Sequence, residues 1–176
     1  MEIITYVQTG AISHKDSLGN VGRIKAGDVQ VMSAGSGIVH AEYNKENEPT
    51  QLFQIWIMPN QRDQPPSWGT QTFPKKQYVQ QLIVLASGYE TDSQALPIRA
   101  QARVLGGRIK AGKKISYEFT HRQRYGYLVS AKGQINVNGI RLQPRDGAAI
   151  HEEESIQIEA ITDADIVLVD APTLSG

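Results

Sequence analysis

The stretch Ala34–Asn44 reads A-G-S-G-I-V-H-A-E-Y-N. Its opening G-S-G marks a turn, and the apolar pair I-V that follows begins a short strand. Residues two apart on a strand point to the same face, so the side chains of His40 and Glu42 are predicted to project side by side. An imidazole and a carboxylate presented together make half of a typical site for a first-row metal ion. The remaining question is which residues supply the other half.

The composition excludes several classes of protein. The 176-residue chain has no cysteine, which rules out disulfides, thiolate metal ligands and a cysteine nucleophile. Eighteen basic residues balance eighteen acidic ones without a basic block, so we expect no direct contact with nucleic acid. No apolar run of about 18 residues occurs, and the N-terminus lacks the features of a secretory signal. We therefore expect a cytoplasmic protein with no membrane segment.

The rest of the chain has a β pattern. Runs rich in Val, Ile, Thr and Tyr alternate with Gly- and Asn-containing turns about every 8 to 12 residues, which favours a sandwich or barrel over βαβ units. Residues 59–76 are rich in proline and are predicted to form a long surface connection. Similar hairpins on both sides of it predict two small β barrels in tandem, over residues 1–76 and 77–176. No long helical period is present, although short helices are allowed at 77–81 and 92–96.

Long stretches of this sequence resemble a known family. They are M-E-I-I-T-Y-V at 1–7, H-K-D-S-L-G-N at 14–20, residues 26–44, Q-L-F-Q-I-W-I-M-P at 51–59 and, more loosely, N-V-N-G at 136–139 and R-D-G-A-A-I-H-E-E-E at 145–154. Together they resemble the pirin family, and most closely the bacterial pirins with quercetin 2,3-dioxygenase activity. Pirins are bicupins, so the resemblance implies an all-β fold of two tandem jelly-roll-like cupin barrels.

Cupins carry two metal-binding motifs, and the chain matches them unequally. The second is similar to the stretch that contains His40, Glu42 and Asn44, and in pirins its His and Glu are metal ligands. The first has the form H-x-H-x-x-x-E, and Met1-Glu2 resemble its last two residues. The resemblance thus implies that two histidine ligands and the first strands of the N-terminal barrel are missing from this chain. It also implies that Glu2 is a spare oxygen ligand or a partner of the ligands.

The resemblance implies an enzyme that acts on a flavonol such as quercetin. Its cofactor would be one divalent metal ion, iron or else Mn, Ni, Co or Cu. The metal would bind the 3-hydroxyl and lower its pKa, and Glu42 would take the proton as the catalytic base. With only two protein ligands in this chain, we expect metal binding to be weak or absent.

Two other hypotheses stay open. Some pirins are non-catalytic partners of other proteins, so this chain could be a binding or regulatory protein. Alternatively, Met1 is a misassigned start, because it coincides with a methionine inside the family's first motif. The nucleotide sequence just upstream distinguishes these hypotheses, since an in-frame H-x-H there favours the enzyme.

The other chemically interesting side chains are predicted to be structural or solvated. His14 lies at a hairpin and is expected to be an exposed polar residue rather than a replacement ligand. His121 is expected in a charged loop, and His151 with Glu153 on a solvated acidic edge. Trp68 either packs over the cleft or anchors the proline-rich connection, and the second role is favoured.

The N-terminal barrel is also predicted to associate. Absent first strands would leave unpaired backbone at its edge, and exposed edges invite pairing with another chain. We therefore expect a homodimer through the N-terminal half, and a monomer in light scattering would count against it.

Overall fold

The computed structural model describes residues 1–73 and 77–173. These residues form β-strands and no helix, which confirms the all-β prediction; 77–81 and 92–96 are not helical. No helix capable of spanning a lipid bilayer occurs in the same residues. The strands are β1 (Glu2–Thr9), β2 (Ala11–Asp16), β3 (Val21–Lys25), β4 (Asp28–Ser33), β5 (His40–Tyr43), β6 (Gln51–Ile57), β7 (Ser67–Thr72), β8 (Ile83–Ser87), β9 (Leu96–Pro97), β10 (Arg103–Ile109), β11 (Lys114–Glu118), β12 (Tyr125–Lys132), β13 (Ile135–Val137), β14 (Ile140–Leu142), β15 (Gly147–Ile150), β16 (Ser155–Ala160) and β17 (Ala164–Ala171).

The described residues fall into two compact units. The first comprises residues 1–73 and 86–100, and the second comprises 77–85 and 101–173. Residues 86–100 follow the predicted connection in sequence but pack with the first unit. Their strand β9 contacts β4 and β7, and the backbone N–H of Asn60 donates to the carbonyl of Arg99 over 2.8 Å.

The first unit is built from two antiparallel sheets. One has the strand order β6-β1-β4-β7 and the other β3-β2-β5. Val7 from the first sheet packs with Ile12 and Ile24 from the second, and Leu52 packs against this group. Because alternate residues of a strand share a face, the face of β1 that carries Val7 also carries Thr5. The apolar group therefore lies beside a layer of polar side chains, and that layer holds the candidate site.

Strand β7 lies inside the stretch that was predicted to be an irregular surface connection. Ser67–Thr72 pairs with β4 along its whole length, with Trp68 opposite Met32. The prediction of a loop over all of 59–76 was therefore wrong. No proline lies between Pro66 and Pro74, so every residue of β7 keeps the backbone N–H that pairing with β4 requires.

The second unit holds a larger continuous apolar core. Its strands β15, β12, β17 and β10 are neighbours in one sheet, and β11, β16, β13 and β14 form another. Asn138-Gly139, a strong hairpin signal, connects β13 to β14 with positive φ angles of 47° and 89°. The buried Arg124 guanidinium pairs with Asp170 at 2.6 Å, and the Tyr117 hydroxyl donates to the same carboxylate. Burial and this carboxylate raise the pKa of Tyr117.

Candidate metal centre

A glycine turn sets the start of β5. Gly35 has a φ of 53°, and a Cβ on it would lie 2.0 Å from the Gln64 carbonyl oxygen. The same carbonyl accepts the backbone N–H of Ser36 over 2.9 Å. The turn is therefore held close against residue 64, which only glycine permits. It directs the chain into β5, where His40 and Glu42 share a face as predicted.

The partner of β5 supplies a further imidazole. β2 pairs with β5 so that His14 lies opposite Glu42 and Asp16 opposite His40. The His14 and His40 ring centroids are 5.8 Å apart, and His14 Nδ1 lies 3.7 Å from Glu42 Oε1. One potential ligand atom from each of His14, His40 and Glu42 lies within 4.8 Å of the others. These three residues are called the His-His-Glu cluster below.

His14 is fully buried, so the prediction of an exposed polar residue was wrong. The prediction was based on the position of His14 at a hairpin and did not take the alternation of a strand into account. Ile12, His14 and Asp16 are two residues apart and therefore point to the same, inward face of β2. The sequence signal for the burial of His14 was the apolar residue two positions before it, Ile12.

Asp16 orients His14. Its Oδ2 atom accepts hydrogen bonds from His14 Nε2 over 3.1 Å and from the side chain of Asn20. Its Oδ1 atom accepts from the backbone N–H groups of Leu18 and Asn20. Burial raises the pKa of Asp16, but the hydrogen bonds from Asn20 and His14 outweigh burial and hold the pKa below its ordinary value. A carboxylate acceptor beside Nε2 favours the tautomer of the neutral ring that carries its proton on Nε2. Nδ1 is then left with a lone pair that faces the cluster.

Two glutamines hold the Glu42 carboxylate, which is 12% exposed. Gln30 Nε2 donates to Oε1 over 2.8 Å, and Gln54 Nε2 donates to Oε2 over 2.8 Å. The Thr5 hydroxyl lies 3.4 Å from Oε1. Sheet register explains the arrangement, because Thr5 on β1 pairs with Gln30 on β4 and with Gln54 on β6. The three side chains form a row across the sheet that faces Glu42.

Each glutamine is in turn bonded to a tryptophan. The Trp68 indole N–H donates to Gln30 Oε1 over 2.9 Å, and the Trp56 indole N–H donates to Gln54 Oε1 over 3.2 Å. The Trp68 ring also stacks on His14, with centroids 5.8 Å apart and planes 22° apart. Trp68 therefore packs against the site, which the favoured sequence interpretation did not expect.

The cluster fits a divalent metal ion on structural grounds. Among the described residues, the Nδ1 atoms of His14 and His40 are buried and have no hydrogen-bond partner. A buried ring nitrogen without a partner costs free energy, and a bound cation would remove that cost. Two imidazoles and a carboxylate are also the donor set that first-row metals prefer. The structure thus brings together three potential donors, one more than the two that the sequence predicted.

Other predicted site residues lie outside the cluster. The Glu2 carboxylate accepts hydrogen bonds from the Ser33 hydroxyl over 2.6 Å and from the Arg99 backbone N–H over 3.1 Å. It lies three residues from Thr5 on β1 and so points to the opposite face of that strand. Its suggested role beside the metal ligands stays a prediction without a supporting contact. Asn44 is exposed and caps the following turn through the Glu46 backbone N–H.

The remaining histidines belong to the second unit and are exposed. His121, His151 and Glu153 are all solvent-accessible, as predicted. The His151 ring lies 6.3 Å from the ring of Tyr125. Within residues 1–73 and 77–173, the only group of three potential ligands at metal-binding distances is the His-His-Glu cluster.

Comparisons with known proteins identify families and relatives that the chain resembles. Residues 1–57 match the family model described as Pirin, and residues 84–171 match the one described as quercetinase C-terminal cupin domain. A pirin-like protein of Caulobacter vibrioides is 57% identical over 171 residues, which cover 97% of this chain and 73% of that protein. A quercetin 2,3-dioxygenase of Escherichia coli is 34% identical over 173 residues, covering 98% of this chain and 73% of that enzyme.

A solved structure shows the same fold. The bacterial pirin YhhW of Escherichia coli, crystallised in complex with nickel(II), superposes with a TM-score of 0.88 at 32% identity. The match covers 98% of this chain and 72% of that one.

Proposed function

The chain belongs to the pirin family, and from that premise we propose that it is a metal-dependent dioxygenase of a flavonol such as quercetin. The observation that carries the proposal is the His-His-Glu cluster, in which the Nδ1 atoms of both histidines are buried without a hydrogen-bond partner. Two relatives add support: the Escherichia coli enzyme is named a quercetin 2,3-dioxygenase, and the pirin YhhW was crystallised with nickel.

His14, His40 and Glu42 are the residues that would hold the metal. Two histidines and one carboxylate leave other coordination positions open, as in many non-haem iron oxygenases. Iron is therefore our first choice, with Mn, Ni, Co or Cu as alternatives. A divalent ion at this site supplies Lewis acidity, which lowers the pKa of a hydroxyl group on the substrate.

The chain's own residues prepare the site for proton transfer. Glu42 is the proposed base, and an oxygen of its carboxylate would accept the proton of the flavonol 3-hydroxyl. Gln30 and Gln54 each donate to one of its oxygens and so fix its orientation before substrate arrives. Asp16 holds the Nε2 proton of His14 on the side away from the cluster. Pre-organised groups of this kind need little rearrangement during the reaction.

Metal analysis combined with a turnover assay tests the proposal. The protein is loaded separately with Fe(II), Mn(II), Ni(II), Co(II) and Cu(II), its metal content is measured, and loss of the quercetin absorption band is followed under air. His40→Ala and Glu42→Gln should each lose most of the bound metal and the turnover. The matched control is His121→Ala, an exposed histidine of the second unit, which should keep both.

Two outcomes would contradict the dioxygenase. Stoichiometric metal without quercetin turnover would favour the non-catalytic binding or regulatory protein. Turnover that survives His40→Ala would place the chemistry elsewhere.

A further inference from the structure

The two tryptophans behind Glu42 differ in one important respect. Both donate through the indole N–H to a glutamine that holds one oxygen of Glu42. Trp56 is 62% exposed, and within the described residues no ring contact joins it to a histidine of the cluster. Trp68 is half-buried and stacks on the His14 ring. Trp68 thus contacts His14 directly and Glu42 through Gln30.

Trp68 can pack against His14 because Gly22, beside it, has no side chain. Trp68 stands on β7, in one sheet, whereas His14 stands on β2, in the other. Gly22 on β3 lies opposite His14, and a Cβ at this position would be 2.9 Å from Cζ2 of the Trp68 ring. The indole therefore occupies the space that any larger residue at position 22 would fill. The three strands place Trp68 against the buried face of the imidazole.

We propose that Trp68 is a positioning residue of the metal centre, which fixes His14 and Glu42 relative to each other. This role rests on the proposed function of the cluster. The stacked indole restricts rotation of the His14 ring, so that Nδ1 stays directed at the cluster. The indole N–H binds the carbonyl oxygen of the Gln30 side chain, so the amide NH₂ group must point at Glu42. Without that bond the amide is held in this orientation by Glu42 alone, so the Gln30 side chain is free to move more.

Paired substitutions at the two tryptophans separate this role from a general loss of packing. Trp68→Leu removes both the stacking and the indole donor, and Trp68→Phe keeps a ring but removes the donor. Trp56→Leu and Trp56→Phe are the matched controls, because they remove an equivalent hydrogen bond to the other glutamine. The dissociation constant for Ni(II) is measured for all variants by titration.

Trp68→Leu should weaken Ni(II) binding by about 10–100-fold, the range typical of residues that orient metal ligands. Trp68→Phe should give a smaller loss, and both Trp56 variants should lose less affinity than Trp68→Leu, because they keep the indole that stacks on His14. The proposal is wrong if Trp68→Leu binds Ni(II) as the parent does, or if the Trp56 variants lose as much affinity.

A metal-free measurement separates failure of this proposal from failure of the proposed function. Hydrogen exchange of the glutamine side-chain amides is followed by NMR in the apo protein. Both Trp68 variants should accelerate exchange of the Gln30 amide and leave the Gln54 amide unchanged, and the Trp56 variants should do the reverse. If the parent binds no metal, the dioxygenase proposal fails while the exchange rates still test the positioning role. Unchanged Gln30 exchange in Trp68→Phe, a variant that keeps the packed ring, would overturn that role.

Discussion

Gly22 leaves the space in which Trp68 packs against His14. Gly22 has an ordinary backbone conformation, so its importance comes from space, because the Trp68 ring occupies the position of its absent Cβ. Gly22→Ala should force the indole away from His14 and cost about 1–3 kcal/mol of the free energy of unfolding, as overpacked cores do. Denaturant titration measures the cost.

A double variant checks this explanation. Trp68→Phe makes room for the new methyl group, so the cost of Gly22→Ala should be smaller in the Trp68→Phe background than in the parent. Contacting residues commonly show such non-additivity. Strictly additive costs would show that Gly22 and Trp68 act independently.

The orientation of His14 depends on the charge of Asp16. In Asp16→Asn the amide can keep accepting from the backbone N–H groups through its oxygen, which turns its NH₂ group towards His14 Nε2. The imidazole proton must then move to Nδ1, and the lone pair no longer faces the cluster. Ni(II) affinity should fall by about 10–100-fold, and ¹⁵N NMR of the ring should report the tautomer change.

Asn20→Ala is the matched control for this substitution. It removes one donor to Asp16 but leaves the carboxylate and its bond to His14. It should therefore keep the tautomer and most of the affinity. Parent-like Ni(II) binding by Asp16→Asn would mean that His14 is not a metal ligand.

At the scale of strands, the sequence predicted features that nearby residues determine. It did not predict features that depend on pairing between strands distant in sequence. The glycine turn and the spacing of His40 and Glu42 were sufficient to predict β5 and its shared face. The register of β2 against β5, which places His14 opposite Glu42, joins residues 28 positions apart and has no local signature. Strand β7 was missed because the prolines before it suggested a loop, whereas pairing with β4 decides its conformation. The family resemblance predicted the fold and two of the three residues of the cluster, His40 and Glu42, because the motif that carries them is contiguous in sequence.

The segment that precedes β8 is held to β10 by a pH-sensitive contact. The Tyr78 hydroxyl donates to the Asp163 carboxylate, and the Val79 backbone N–H donates to the Arg108 carbonyl over 2.8 Å. The bond from Tyr78, with one from the Ala111 N–H, lowers the pKa of Asp163. A lowered folded-state pKa stabilises the fold above the unfolded value, about 4, and this stabilisation is lost as pH falls through the folded value.

Tyr78→Phe should therefore reduce protection of the Val79 amide at pH 7. The difference from the parent should shrink as pH falls below about 4, because Asp163 becomes protonated in both proteins. Amide hydrogen exchange, expressed as protection factors, measures this. Tyr125→Phe, at an exposed tyrosine, is the control and should match the parent throughout. A pH-independent effect of Tyr78→Phe would contradict the proposed charge dependence.

The predicted self-association would occur through the sheet edges of the first unit. In the described part of the chain, β6 and β5 each end a sheet; β6 exposes Trp56, and the exposed Met58 follows directly after it. An exposed edge with apolar side chains favours strand pairing between copies. Light scattering should show a dimer whose population rises with concentration, and Trp56→Lys should lower it by placing charge at the edge. A monomer at all concentrations would rule out the edge dimer.

At the scale of the whole molecule, buried polar groups are distributed unequally between the units. Of the eleven buried polar or charged residues that the structure describes, eight belong to the first unit, and only Arg124, Ser130 and Asp170 belong to the second. Burying such groups costs free energy unless each finds a partner. The proposed metal cluster also lies in the first unit, so binding of a metal is expected to affect the stability of that unit most.

Metal binding should consequently stabilise the first unit selectively. A ligand that binds only the folded state at 100 times its dissociation constant adds about 2.7 kcal/mol to the free energy of unfolding. With Ni(II) at that level, amide protection should rise by about 100-fold in β2 and β5 wherever exchange requires the site to open. Protection in β12 and β17 should change far less. His40→Ala should abolish the difference, because one of the two imidazoles is lost. Equal stabilisation of both units, or the same gain in His40→Ala, would show that nickel acts elsewhere than at the His-His-Glu cluster.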